Sequence, residues 1–581
     1  MALHWIDWMI IIALLVISFC INLYFKNRSA QGLESFLLGG RKFPWYLAGI
    51  SMVATTFAAD TPLAVTELVA QGGISGNWIW WAGLIGGMFT TFFFASLWRK
   101  SGVLTEVELI ELRYHGKPAS ILRGVKAIYL GLLMNVAIIA WVNKAMLTII
   151  EVFFDVSPTT MWMIIIGLML FSALYTSIGG LWGVAVTDAF QFVLAMIASV
   201  ILAYLVVNSP DIGGLEAMID KLPEQSLHFL PSIGSDVGSM AWTISMGAFL
   251  AFVGVQWWAS WYPGAEPGGG GYVAQRMMST RNEKESMLSS LVFQILHYCI
   301  RPWPWILVAL SAIILYPDLM ETSPREGYVL AMKDYLPSGL KGLLLASFLA
   351  AYMSTISTQL NWGAGYLSND LYKRFIKPEA SEKRLVAITR LFTIGIAIIG
   401  CGLSFVITSV SGVWEFVLEC GAGLGLVLIL RWYWWRINAF SEIAATIAPF
   451  IAYTFSKYFL EDYLGQDFID QKGTFFFTVL FTTVSWILVT FLTKPERKET
   501  LENFYAKVNP MGWWSPIGEN QLGKPMLINV LAWASGVLLT YSVLFGIGKF
   551  LFQEWQDGFI CLGLFLISAF GLMWSLKRIR L

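Results

Sequence analysis

From Val156 to Thr187, and again from Ala189 to Pro210, the chain runs without a single charged residue. Each run is longer than the roughly 20 residues an α-helix needs to cross the hydrocarbon core of a bilayer. Similar runs recur along the whole chain, and one soluble core cannot bury them all. Composition agrees, with 13% of the 581 residues charged and 57% hydrophobic; a soluble domain carries about 25% charged residues. Mean hydropathy is +0.65. The chain therefore reads as an all-α polytopic membrane protein. Its formal net charge of zero excludes a general nucleic-acid binder, which needs a basic excess. Cys20, Cys299, Cys401, Cys420 and Cys561 lie in apolar runs without a CxxC pair, and His4, His115, His228 and His297 are scattered. That pattern predicts neither a zinc or haem centre nor a disulfide framework. Gly268–Gly271 lacks a following Lys-Ser/Thr, so it is not a phosphate-binding loop.

Apolar runs bounded by charges, Gly or Pro predict about 15 transmembrane helices. Lysine and arginine fall in alternate connections: Lys26 to Lys42, Arg99 to Lys126, Arg276 to Lys284, Lys373 to Arg384, Arg431 to Arg436, and Lys494 to Lys507. Lys577, Arg578 and Arg580 follow at the end, and the intervening loops (Asp211 to Asp236, Asp318 to Asp334, Glu461 to Asp470) are acidic. Basic loops stay on the cytoplasmic side, which predicts an outside N-terminus and a cytoplasmic C-terminus in a multi-pass cell-membrane protein. No connection is long enough for a separate catalytic domain, and no nucleophile–base pair or metal cluster stands inside the spans. An enzyme is not expected.

Polar groups inside membrane helices are costly and point to function. In the second span, small and hydroxyl residues lead through Thr56 to Asp60, Thr61 and Pro62. Proline there removes a donor and frees carbonyls, as in the broken helices that coordinate ions; an ordinary proline kink would read the same. In the ninth span Ser354, Thr355, Ser357 and Thr358 stack hydroxyls on one helix face. They suit a dehydrated alkali cation or, equally, close helix packing. Asp188, a little over a turn into the sixth span, calls for a basic partner or a bound cation unless it reaches water. A last group comprises Arg301, Glu415 and Glu419 with the tryptophan pairs Trp80–Trp81 and Trp257–Trp258. Arg301 would hold a substrate carboxylate or pair with Glu419, and paired tryptophans serve packing or the interfacial belt as readily as a pocket.

Four segments together resemble the solute:sodium symporter family of sodium–glucose, sodium–proline and sodium–sialic acid transporters. They are Phe36-Leu-Leu-Gly-Gly-Arg41, Tyr175 to Gln191 with its Gly-Gly and Thr-Asp, Tyr272-Val-Ala-Gln275-Arg276, and Ala346 to Phe375 with Asn369-Asp370 near its end. The resemblance implies a five-plus-five inverted-repeat transporter fold with broken helices over 45–436. An extra helix and loop over 1–44 would precede that core, and additional helices over 437–581 would follow it. It also implies one or two sodium ions as coupling ions. The first would be held by the carbonyls of Ala54, Phe57 and Ala351 and the hydroxyls of Ser354 and Thr355. The second would take Asp188, Ser354, Ser357 and Thr358.

At the family's sugar-binding positions this chain has Thr61, Trp80, Gly83 and about Gly270, which disfavours a hexose. Thr56 stands where the proline-type branch places an acid. The expected substrate set is Thr56, Asp60, Thr61, Trp80, Trp81, Trp257, Trp258, Arg301 and Glu419. A small carboxylate or amino acid is favoured over a sugar. The expectation is a sodium-coupled symporter importing a small organic solute, acting in the bilayer as a monomer or weak oligomer. A proton-coupled symporter of the same fold and a non-transporting sensor are the alternatives.

Overall fold

The computed structural model describes residues 3–154, 156–234, 243–406, 417–515 and 517–579. Glu415, Asp236 and Arg580 lie outside them. Among the described residues ten helices are long and apolar enough to cross a membrane, or twelve when each of two bent pairs is taken as one span. Sequence reading expects more, and three places account for the difference. Pro158–Val207 is a 50-residue stretch in which the two predicted spans are joined end to end across a kink, and the apolar helices Met246–Ala259 and Leu424–Tyr433 are short. The 50-residue stretch is broken in its middle at Gly180, whose φ of 54° and ψ of −159° suit glycine and penalise other residues. A Cβ there would also stand 2.8 Å from Ser29 Cβ and 3.0 Å from the Phe36 carbonyl. The break thus admits the end of the first helix, Trp5–Ser29.

One bent pair is Trp45–Thr56 with Thr61–Gly72, at 59°; the other is Ile74–Phe93 with Ala95–Ser101, at 48°. The first break has a local cause. Phe57 leaves the helix at φ −92°, ψ 80°, and Pro62, lacking an N–H, can only begin the next helix. The most enclosed element is Leu340–Ile376, with 94% of its apolar window buried, whereas Trp555–Leu576 at the periphery has 17%. The central helix packs against Pro158–Val207, the first helix and Glu382–Ser404, and the last two helices pack chiefly on each other.

Contacts sort the loops into two faces. Arg41 donates to the carbonyls of Gly102 and Val103, both at 2.9 Å, and Arg99 to Thr280 at 2.8 Å. The Leu33 amide donates to Glu382 at 2.8 Å, the His115 amide to Glu496 at 3.0 Å, and Arg436 to the Thr493 carbonyl at 2.6 Å. The basic connections therefore meet at one end. At the other, Tyr335 donates to Asp211 at 2.7 Å, Ser245 to the Asp470 carbonyl at 2.7 Å, and Gln553 to Glu216 at 3.1 Å. The two-residue strands Ser232–Ile233 and Thr243–Ile244 pair in parallel. The alternation of loop charge along the chain thus appears as two separate surfaces.

Candidate functional site

The broken second span meets the central helix at the break. Opening a helix orphans backbone groups that must find partners, and side chains of two other helices supply them. Thr355 Oγ1 donates to the Thr55 carbonyl at 3.0 Å and to the Ala351 carbonyl at 3.2 Å. Arg301 Nη2 donates to the Thr56 carbonyl at 3.0 Å, while its Nη1 donates to Thr56 Oγ1 at 2.8 Å. Thr355 and the Ala351 carbonyl therefore lie against the backbone that carries Ala54 and Phe57. The Ala54 carbonyl accepts the Phe57 amide at 3.1 Å.

Ser354 turns elsewhere. Its hydroxyl donates to Asp188 Oδ1 at 2.6 Å, and Ser51 donates to Asp188 Oδ2 at 2.7 Å. Arg276 lies 3.7 Å from the same Oδ2, and donates to Ser51 at 3.2 Å and Thr358 at 2.7 Å. Thr358 in turn lies 3.1 Å from Thr55 Oγ1, and Ser357 donates to the Ser354 carbonyl at 3.0 Å. Asp188, Ser354, Ser357 and Thr358 thus belong to one buried network, with Arg276 as its basic partner. Sequence reasoning quoted Arg276 without giving it a role and missed Ser51 and Thr55. A contact between residues 88 positions apart has no local signature.

The expected substrate set divides. Thr56 and Arg301 share His297, whose Nδ1 is 3.1 Å from Thr56 Oγ1 and 2.8 Å from Arg301 Nη1. Trp80 joins them, with its ring 5.7 Å from His297 and stacked on Tyr298 at 5.7 Å. Asp60 is buried and feels the charges of Arg325 and Arg301. Thr61 opens the second half of the break, its amide donating to the Ala58 carbonyl at 3.1 Å. Trp81 faces away, against Trp78 and Phe545. Trp257 stands between Phe89 and Trp533, and Trp258 bonds the Gly254 carbonyl of its own helix. Glu419 acts electrostatically on Lys457. His297 escaped notice as an isolated histidine, although its i,i+4 spacing to Arg301 places both on one helix face.

Arg301 is 1% exposed, lies over the Phe57 ring at 5.8 Å and the Trp305 ring at 5.0 Å, and keeps a buried Nε–H without a partner. The chemistry at the break is therefore a row of carbonyls and hydroxyls on one side and a cation with a donor to spare on the other.

The Sodium:solute symporter family matches residues 36–448. The sodium/glucose cotransporter of Vibrio parahaemolyticus is 23% identical over 485 residues, covering 79% of this chain and 84% of the relative. The sodium/sialic acid symporter NanT of Aliivibrio fischeri is 25% identical over 510 residues, covering 83% and 92%. Among solved structures, a substrate-bound, outward-open Na+-coupled sialic acid symporter superposes with a TM-score of 0.65 at 19% identity, over 85% of this chain and 99% of that one. With a match over most of its length and an inverted-repeat transporter architecture, the chain belongs to the sodium:solute symporter family.

Proposed function

We propose that the protein imports a small organic solute together with sodium by alternating access. The observation that carries this reading is Thr355, whose hydroxyl joins the break in the second span to the central helix. A sodium ion bound by the Ala54, Phe57 and Ala351 carbonyls with Ser354 and Thr355 would replace hydrogen bonds that now tie those helices together. Binding there favours one arrangement of the two helices, and a ligand shifts a conformational equilibrium only through such differential affinity. A second ion at Asp188, Ser354, Ser357 and Thr358 would have to share the carboxylate with Arg276. Inward movement of each ion contributes about 2.3 kcal/mol per 100 mV of membrane potential.

Solute would bind beside the break at Thr56, Asp60, Thr61, Trp80 and Arg301. The spare Nε–H of Arg301 supports a carboxylate-bearing solute, because guanidinium pairs with carboxylates through parallel N–H groups. The basic face would be cytoplasmic, with 45–436 as the moving core and 437–581 as supporting helices. In purified protein, a carboxylate or amino acid should raise the unfolding temperature in sodium chloride but not in choline chloride at the same pH. Stabilisation by sugars alone, or equal stabilisation in both salts, contradicts the reading.

A further inference from the structure

Away from the break, two carboxylates are buried together. Glu266 follows Tyr262-Pro-Gly-Ala at the start of the Gly268–Gly271 run, and Glu106 lies in the connection after Ala95–Ser101. They are 3% and 5% exposed. Both press on the same glycines: a Cβ on Gly270 would stand 3.0 Å from Glu266 Cγ and 3.1 Å from Glu106 Oε1, and one on Gly271 would stand 2.6 Å from Glu266 Oε1. Gly271 has φ +52°, so a side chain there would be strained as well as crowded.

Their surroundings differ. Glu106 Oε2 accepts the Gly271 amide at 2.6 Å and the Tyr366 hydroxyl at 3.0 Å, as an ionised carboxylate does. Glu266 has neither oxygen hydrogen-bonded; the amides of Gly264 and Glu266 itself face it outside bonding geometry. Among the described residues no lysine or arginine forms an ion pair with either acid, and no group of three His, Cys, Asp or Glu could hold a metal ion. Facing the pair are Tyr272 and Tyr366, then Trp362, whose indole N–H is buried without a partner. Farther out, Asp370 is bound to Thr105 and Arg123, Arg431 is bound to Glu442, and Arg276 is turned to Asp188. A cavity lined by Glu106, Gly271, Gln275, Trp362 and Tyr366 adjoins them.

We infer that Glu266 holds a proton against ionised Glu106, forming a proton-binding site separate from the helix break. Two bare negative charges cannot share an enclosure without a counter-charge. The N–H and O–H groups around Glu106 favour an anion there and would repel a metal cation, so the charge to be removed is that of Glu266. Both acids border the same side of Gly270, so the neutral Glu266 carboxyl would face the ionised Glu106. The site lies between Gly271–Ser279, the central helix and the 102–109 connection at the basic end of the molecule, so separating these elements would wet the pair and release the proton. The inference does not depend on sodium coupling.

Infrared spectroscopy of the full-length protein at neutral pH tests it, with each variant subtracted from wild type. Glu266→Gln should lose one carboxylic-acid carbonyl band, and Glu106→Gln should keep that band but shift it, because the negative charge beside it is removed. Loss of an ionised-carboxylate band in Glu266→Gln, with no acid band lost, would overturn the inference. So would loss of 22Na+ binding in Glu266→Gln with Asp188 and Thr355 intact, which would make the pair a sodium ligand. Should Glu266→Gln fail to fold, an unshifted acid band in Glu106→Gln is the overturning result.

Discussion

Asp188 and Glu266 are both acids enclosed by the helix bundle, and the protein treats them oppositely. Asp188 has two hydroxyl donors and an arginine, whereas Glu266 has no hydrogen-bond partner for either oxygen. Arg301 stands between these extremes, with three contacts to Thr56 and His297 through its two Nη atoms, and Nε left over. The gradient separates charge that holds helices together from charge kept in reserve for something mobile. A fully bonded buried pair is hard to disturb, because removing one member strands the other; an incompletely bonded group gains when an ion, proton or solute completes it.

The sharpest way to break this comparison is Asp188→Ala. It strands Arg276 and should destabilise the purified protein by about 3–5 kcal/mol, seen as a large fall in unfolding temperature. Glu266→Gln should change stability by less than about 1 kcal/mol. Equal losses would erase the distinction. Next comes Arg301→Lys, which keeps the charge but loses the planar fork. Affinity for a carboxylate solute should fall about 30-fold, or about 2 kcal/mol, while stabilisation by sodium alone persists. Equal weakening toward carboxylate and sugar probes would show that the spare donor is not used. Thr355→Ala should raise the sodium concentration for half-maximal uptake about tenfold, or about 1.4 kcal/mol, with the fold retained; an unchanged sodium dependence contradicts the assignment.

The smallest effect is expected at the basic face. Burial alone would raise the Glu111 carboxyl, but hydrogen bonds from Arg374 and Arg123 hold it below the usual glutamate range. A depressed folded value means stability that is present above the ordinary range and lost as pH falls through it. Glu111→Gln should therefore flatten the acid side of the stability profile by about 0.2–1 kcal/mol. An unchanged profile would show that this network contributes nothing.

What was legible from residues alone follows from physics local to the chain. The spans announce themselves by length and apolarity, the break by Pro62 after small and hydroxyl residues, and Asp188 by standing alone in a long uncharged run. Stacked hydroxyls at Ser354 and Thr355 could be read from helical spacing, although their divergence could not: one serves Asp188 and the other the broken helix. Arg276 and His297 were invisible as partners because their contacts depend on helices crossing. Trp80 and Trp81 are neighbours in sequence but face opposite environments, His297 and the helix Lys524–Leu551, which adjacency cannot separate. The span count is smaller where the two predicted helices join end to end across the kink at Gly180, since a glycine pair signals a break without giving its angle.

The central claim, that sodium binds where the broken second span meets the central helix, is tested most directly by 22Na+ binding to purified wild type and Thr355→Ala, at fixed pH with choline as the replacement cation. Saturable binding in wild type and an isotherm displaced to roughly tenfold higher sodium in the variant is the predicted result. Identical isotherms, or no saturable binding to a folded wild-type protein, would contradict it.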